Sequence, residues 1–191
     1  MMETLLEGAM RGPAGWPYRM TICGAYELRQ GFLSWQGTHI LSIQRGGARY
    51  HGPALPADRH LVLEFDDVTD PSRFDAPALA HLATAMAFVD ALPAEAALVI
   101  HCSQGVSRST ALALGLLARE VSPMEAAGLL HVLRPFACPN PLVVRLWDDL
   151  LGLQGELIEA ACHFPTVSWR HGAGDPRAAH AGLLRTTARP G

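Results

Sequence analysis

Lysine is absent from this chain of 191 residues, so all 15 Lys+Arg positions are arginine. Mechanisms built on a lysine amine, whether a Schiff base, a P-loop or a protein kinase, are thereby excluded. Asparagine is nearly missing as well, with Asn140 alone, and the lysine-free, alanine-rich usage is that expected of a GC-rich, bacterial coding sequence. Charged residues are sparse at 17%, the net charge is −3, and hydrophobic residues reach 49%. A strongly basic nucleic-acid binder and a disordered chain are both excluded by those values. No apolar run approaches the roughly 18 residues of a membrane span. The opening residues around Glu3 lack the basic flank of an export signal. No membrane partner is expected, and a cytoplasmic location is. The four cysteines, Cys23, Cys102, Cys138 and Cys162, show none of the paired spacings of a zinc site or disulfide framework. Neither a metal nor another cofactor is expected.

What remains reads as one α/β domain. Residues 1–18 are Gly- and Pro-rich without period and are expected to form a loose leader, and 164–191 a flexible tail, around a domain over 19–163. Met20–Cys23, Thr38–Ile43, Leu61–Phe65 and Ala97–Ile100 are short apolar or β-branched runs of strand length. Helical patterns occupy Tyr26–Trp35, a segment capped by Asp75 and ended by Pro93, and Thr110–Glu120. Ser122-Pro123-Met124-Glu125 is a capping box with proline at the first helical position, and Asn140-Pro141 repeats the cap-plus-proline signal before Leu142–Leu151. Strands alternating with helices predict a single, mainly parallel central sheet flanked by helices. Arg45–Arg59, rich in Gly and Pro, reads as a loop.

A cysteine and an arginine separated by five residues can wrap a loop around one phosphate, with the thiolate below phosphorus and backbone N–H groups pointing inward. The chain holds two such pairs, Cys23…Arg29 and Cys102…Arg108. The first encloses Tyr26 and Glu27, one bulky and one repelling a dianion, and reads as a buried strand cysteine with a helix behind it. The second lies at a strand-to-helix junction, where sheets of this kind expose ligand sites and a helix N-terminus favours anions. Its loop, Ser103-Gln104-Gly105-Val106-Ser107, is small and polar, with Gly105 available for tight curvature. The helix dipole and Arg108 favour the nucleophilic thiolate of Cys102. Ser109 offers a hydroxyl to that sulfur when it leaves.

His101-Cys102-(five)-Arg108-Ser109, ending Gly-x-Ser-Arg-Ser, resembles the signature loop of the cysteine-based protein phosphatases of the dual-specificity type. Leu133-Arg134-Pro135 through Pro139-Asn140 resembles that family's Arg-Pro…Pro-Asn segment. Phe65-Asp66-Asp67-Val68 is similar to the strand end of a compact bacterial tyrosine-phosphatase-like branch. The resemblance spans about residues 20–160. It implies a two-step phosphomonoester hydrolysis: Cys102 forms a phosphocysteine, and Arg108 with the amides of Ser103–Ser107 holds the phosphate oxygens. A carboxylic acid serves the leaving group, and His101 acts on Cys102 through the loop backbone. It also implies that Asn140 braces the phosphate loop, alongside its reading as a helix cap. The substrate class is a phosphorylated protein or a small phosphomonoester.

Asp66, Asp67 and Asp70 stand 36, 35 and 32 residues before Cys102 and all qualify as the acid. The strand-end position favours Asp67, and if strand alternation continues, Asp66 and Asp67 face opposite ways. Arg134 reads as a helix C-terminal charge. With no cation among the five middle loop residues, a singly phosphorylated substrate is expected. Two other functions draw on part of the pattern. A sulfurtransferase also uses a cysteine loop beneath a helix but needs no Arg108-Ser109, and a catalytically silent phospho-ligand-binding module usually lacks the Cys or the Arg.

Overall fold

The computed structural model describes residues 19–164. The expected leader over 1–18 and all but the first residue of the expected tail lie outside that range. That first residue, Phe164, is buried against the core.

Four strands form one sheet: β1 (Arg19–Gly24), β2 (His39–Gln44), β3 (His60–Glu64) and β4 (Ala97–Cys102). All pairings are parallel and the order is β1-β4-β2-β3. A wholly parallel sheet is covered on both faces, so its inner strands are apolar on both sides, while the edge strand β3 buries only Leu63. Every residue of β4 is buried, and β2 is buried from His39 to Ile43. One face, with Ile22, Leu41, Ile43, Leu98 and Ile100, packs under the helices that follow β3. The other, with Cys23, Ile40 and Val99, is covered by Leu28 and Phe32. Period-two alternation thus sends neighbouring residues of β4 into two different cores.

Helix α1 (Ala25–Gly31) covers the second face, and α2 (Leu79–Asp90), α3 (Arg108–Ala118), α4 (Pro123–Leu133), α5 (Pro141–Leu151) and α6 (Glu156–Ala161) gather on the first. Helix α3 is buried along its whole length, as its apolar character on nearly every face predicts. The two cap-plus-proline signals behave as read: Ser122 Oγ accepts from Glu125 N, and Asn140 Oδ1 accepts from Leu142 N and Val143 N at 3.0 and 3.1 Å.

Three details differ from the sequence reading. Asp75 does not cap α2; the helix begins after Ala78, whose N–H donates to His81 Nδ1, because Pro77 holds the preceding residue out of helical geometry. The carbonyl of Asp75 instead accepts from Asp66 N at 2.7 Å. Helix α3 starts at Arg108, two residues early, since the loop after β4 feeds directly into its first turn. Helix α6 was not foreseen, and buried Asp148 on α5 accepts from Gly155 N and Leu157 N at its start.

Because all four strands point the same way, the segments after β1, β2, β3 and β4 emerge at one end. Strand β4 lies between β1 and β2, so the loop it feeds opens where chain connections depart in opposite directions, the usual ligand crevice of such sheets.

Candidate active site

The loop after β4 is built by turning its carbonyl groups outward. Ala25 N–H donates to Ser103 O (3.1 Å), and Cys138 N–H to Val106 O (2.8 Å). Arg134 donates through Nε to Gly105 O (2.9 Å) and through Nη2 to Gln104 O (3.3 Å). Ser107 O accepts from Thr110 Oγ1 (2.9 Å) and Asn140 N (3.3 Å). All five carbonyls from 103 to 107 are therefore held from outside, which leaves the intervening N–H groups to face the hollow, a geometry that binds anions. Gly105 carries φ +70, and a Cβ there would stand 2.3 Å from the backbone carbon of Cys23, so glycine is required on both counts.

Arg134 is thus no helix-end charge. It is buried, forks onto Glu27 at 3.0 and 2.7 Å, and stacks on Phe136 with 4.1 Å to the ring centroid. Burial pushes the Glu27 carboxyl up, but hydrogen bonds from Arg134 and from the Gly24 backbone bring it below the usual range overall. The segment between Cys23 and Arg29 therefore braces the loop after Cys102 through Glu27 and Ala25 N–H. Burial, with Glu27 nearby, pushes the Cys23 thiol up to about 12, so it stays protonated and is no nucleophile.

Within the loop, Cys102 Sγ lies 3.2 Å from Ser109 Oγ and accepts from Gly105 N at 3.3 Å. Cys102 is 3% exposed and Arg108 7%. Arg108 Nη1 donates to Phe65 O at 2.9 Å, tying the guanidinium to the end of β3. Its Nε is buried without a partner among the described residues, a donor available to an oxyanion.

Behind the loop runs a directional chain of hydrogen bonds. Ser42 Oγ stands 2.6 Å from His101 Nε2 and 2.8 Å from His60 Nε2. A hydroxyl has one proton, so it donates to one imidazole and accepts from the other. His101 Nδ1 faces the Cys102 carbonyl at 3.4 Å, where only N–H is useful, which makes Nε2 the acceptor of Ser42 O–H and His60 the donor into Ser42. Burial brings His101 down to about 4 and keeps it neutral near pH 7. Ser42 was missed in the sequence; its signal is a lone hydroxyl within the apolar run His39-Ile40-Leu41-Ser42-Ile43.

The three aspartates separate clearly. Asp67 Oδ1 accepts from Ser107 Oγ and Asn140 Nδ2, both at 2.7 Å. Asp66 turns the other way, toward Arg45 at 3.7 Å and its neighbour's N–H, although β3 ends at Glu64 and strand alternation does not extend to either residue. Asp70 is exposed and accepts from Ser72 N and Oγ at 2.9 and 2.7 Å. Of the three, Asp67 alone touches the phosphate loop.

A cavity of about 320 Å³ opens over Cys102, Ser103 and Arg108. Its walls come from three strand ends: Leu28 and Arg29 after β1, and Ile43 with the segment Arg45 to Gly52 after β2, facing His101 and Cys102 of β4. A second cavity of about 210 Å³ holds Asp67, Ser107 and Asn140 on its wall.

A cysteine over a helix N-terminus, a buried arginine six residues on, and a four-stranded parallel sheet identify the architecture. The chain has the fold of the cysteine-based tyrosine and dual-specificity phosphatases. Solved structures of that fold match it over most of their length. Human tyrosine phosphatase-like serine/threonine/tyrosine-interacting protein is 18% identical, with TM-score 0.58 over 71% of this chain and 92% of the other. Human DUSP28 is 24% identical, with TM-score 0.56 over 71% and 94%. DUSP15 is 17% identical, with TM-score 0.54 over 78% and 94%. No family model and no curated protein matches the chain. Within this phosphatase fold, no helix among the described residues is long and apolar enough to cross a membrane.

Proposed function

We propose that the chain is a phosphomonoester hydrolase of the tyrosine or dual-specificity kind, acting through a phosphocysteine. The observation that carries this reading is the set of five outward-held carbonyls at 103–107, with Cys102 Sγ below and Arg108 Nε free beside it. Cys102 Sγ attacks phosphorus in line as the bond to the leaving oxygen breaks. The loop amides and Arg108 spread the charge of the transferring group, which is where most of the rate acceleration in phosphoryl transfer arises. Water then attacks phosphorus, the S–P bond breaks, and the electron pair returns to sulfur, which accepts a hydrogen bond from Ser109 Oγ.

Asp67 is our choice for the acid that gives its proton to the leaving oxygen and later takes one from water. Its support is the contact with Ser107, which leaves Oδ2 clear of both bonds to Oδ1. His101 acts as a positioning residue, orienting the Cys102 carbonyl. Asn140 braces the loop that bears Asp67.

Hydrolysis of p-nitrophenyl phosphate by the wild type, abolished in Cys102→Ser, is expected; unchanged activity in that variant overturns the reading. Asp67→Asn is expected to remove the limb of the pH–rate profile assigned to the acid, while Asp66→Asn and Asp70→Asn retain it. If Asp70→Asn alone removes that limb, the acid is Asp70.

A further inference from the structure

The phosphate loop has one fixed cation, Arg108, and by itself suits a single phosphate. The cavity above it is another matter. Arg29 on α1 and Arg45 and Arg49 on the segment after β2 line the same hollow as Cys102, and no carboxylate is among the described residues that line it. The chain as a whole carries a net charge of −3, so this convergence of arginines opposes the global sign and is no by-product of a basic surface.

Of the nearby acids, one is engaged elsewhere and the other pairs only loosely with Arg45. Glu27, on the same short helix as Arg29, is claimed by buried Arg134 at 2.7 Å. Asp66 approaches Arg45 at 3.7 Å, beyond hydrogen-bond distance, and that arginine's side chain is 75% exposed. Arg29 lies beside the Tyr26 ring, 5.8 Å from its centroid, a contact that leaves its charge uncompensated.

A single phosphate dianion is already served by the loop amides, the α3 N-terminus and Arg108. Three more guanidinium groups exceed that need, and planar forks of this kind suit phosphate oxygens. We propose that the substrate is a compact bisphosphate, with one phosphate over Cys102 and the second held by Arg29, Arg45 and Arg49. Both phosphates share one cavity of about 320 Å³, a volume that suits a small carbon frame between them. Leu28, Ile43 and Tyr50 on the wall offer that frame apolar contact. This inference rests on the phosphatase reading above and replaces the expectation of a singly phosphorylated substrate.

The test compares a hexose monophosphate with the matching hexose bisphosphate, using p-nitrophenyl phosphate as the control for turnover. Wild-type protein is expected to prefer the bisphosphate by about tenfold or more in kcat/KM, mainly through KM, a margin that shrinks with added salt because the arginines are exposed. The triple variant Arg29→Ala, Arg45→Ala, Arg49→Ala is expected to bring the ratio toward one, and the triple Arg→Lys variant to restore part of it. A ratio near one in the wild type, or a preference that survives the alanine variant, overturns the inference. So does a preference seen only between phosphotyrosine peptides with and without a neighbouring phosphothreonine, which assigns the second phosphate to a peptide. If p-nitrophenyl phosphate is not turned over, the phosphatase reading fails by itself. Calorimetric Kd values for the same hexose pair then decide the second-phosphate site: a bisphosphate preference lost in the alanine variant supports it, and equal Kd values overturn it.

Discussion

Asn140 grips Asp67 and the phosphate loop at once: its Nδ2 donates to Asp67 Oδ1 at 2.7 Å while its backbone N–H donates to Ser107 O at 3.3 Å. The same side chain, through Oδ1, caps α5. One residue thereby couples a helix start, the proposed phosphate-binding loop and the loop that carries the proposed acid.

That division of labour separates two variants. Asn140→Ala loses the cap and is expected to lower stability by about 1–2 kcal/mol. Asn140→Asp keeps a cap oxygen but sets a carboxylate against Asp67. It is expected to retain most of the wild-type Tm while kcat/KM for p-nitrophenyl phosphate falls by about tenfold or more, from repulsion between like charges at hydrogen-bond distance. Thermal melts and steady-state kinetics on both variants check this. Equal activity in Asn140→Asp and wild type refutes the coupling.

Ser109 approaches Cys102 Sγ at 3.2 Å, and in the proposed mechanism its hydroxyl matters most when sulfur leaves phosphorus. Ser109→Ala is expected to slow phosphocysteine breakdown by about 10-fold or more, the scale of one lost transition-state donor. The signature is a stoichiometric burst of p-nitrophenol, with kcat reduced and kcat/KM nearly retained. A variant that loses both in proportion places Ser109 in the first step instead.

His101 provides a pH test of stability. Burial lowers it to about 4 in the folded chain, against an ordinary 6.5. Between those values the unfolded state binds more protons than the folded state, so stability rises with pH through this window and is lost as pH falls from 6.5 toward 4. The contribution is at most about 3 kcal/mol. His39, His60 and His81 are lowered by burial too and act in the same direction. Denaturant unfolding of wild type and His101→Asn at several pH values isolates the share of His101, and parallel curves would show that it has none.

Arg134 and Glu27 form the clamp over the loop carbonyls. Arg134→Ala leaves Gln104 O and Gly105 O without that donor and Glu27 without its partner. Glu27 is half-exposed, so the expected loss is about 2 kcal/mol, below the range for breaking a fully buried pair. Because Arg134 holds two of the loop's carbonyls, kcat/KM is expected to fall as well, and Arg134→Lys to recover little of it, since one ammonium cannot replace a fork. A Glu27–Arg134 double-mutant cycle in urea measures the coupling. A coupling near zero would show that the loop holds its shape without the clamp.

The candidate catalytic loop was legible in the sequence because its residues are contiguous. A strand, five small polar residues and a helix in unbroken order specify where sulfur, amides and guanidinium meet, and local physics suffices. The caps at Ser122 and Asn140 were legible for the same reason, since a cap acts over three residues. Asp66 and Asp67 lie past the end of β3 at Glu64, so strand period does not fix their directions, and which one met the loop depended on Ser107 and Asn140, residues 40 and 73 positions away from Asp67.

Absent lysine excluded whole mechanisms from the outset, and lysine-free loop residues left Arg108 as the single local cation. That much the amino-acid order determined alone. The tertiary structure decided what surrounds that cation. Parallel strands deliver every following segment to the same end of the sheet, so Arg29, Arg45 and Arg49, remote from the loop in sequence, open onto its cavity. The same convergence turned Arg134 from a helix-end charge into a loop clamp. Electrostatic potential sums over distance in space, and distance in space is set by how the sheet is ordered.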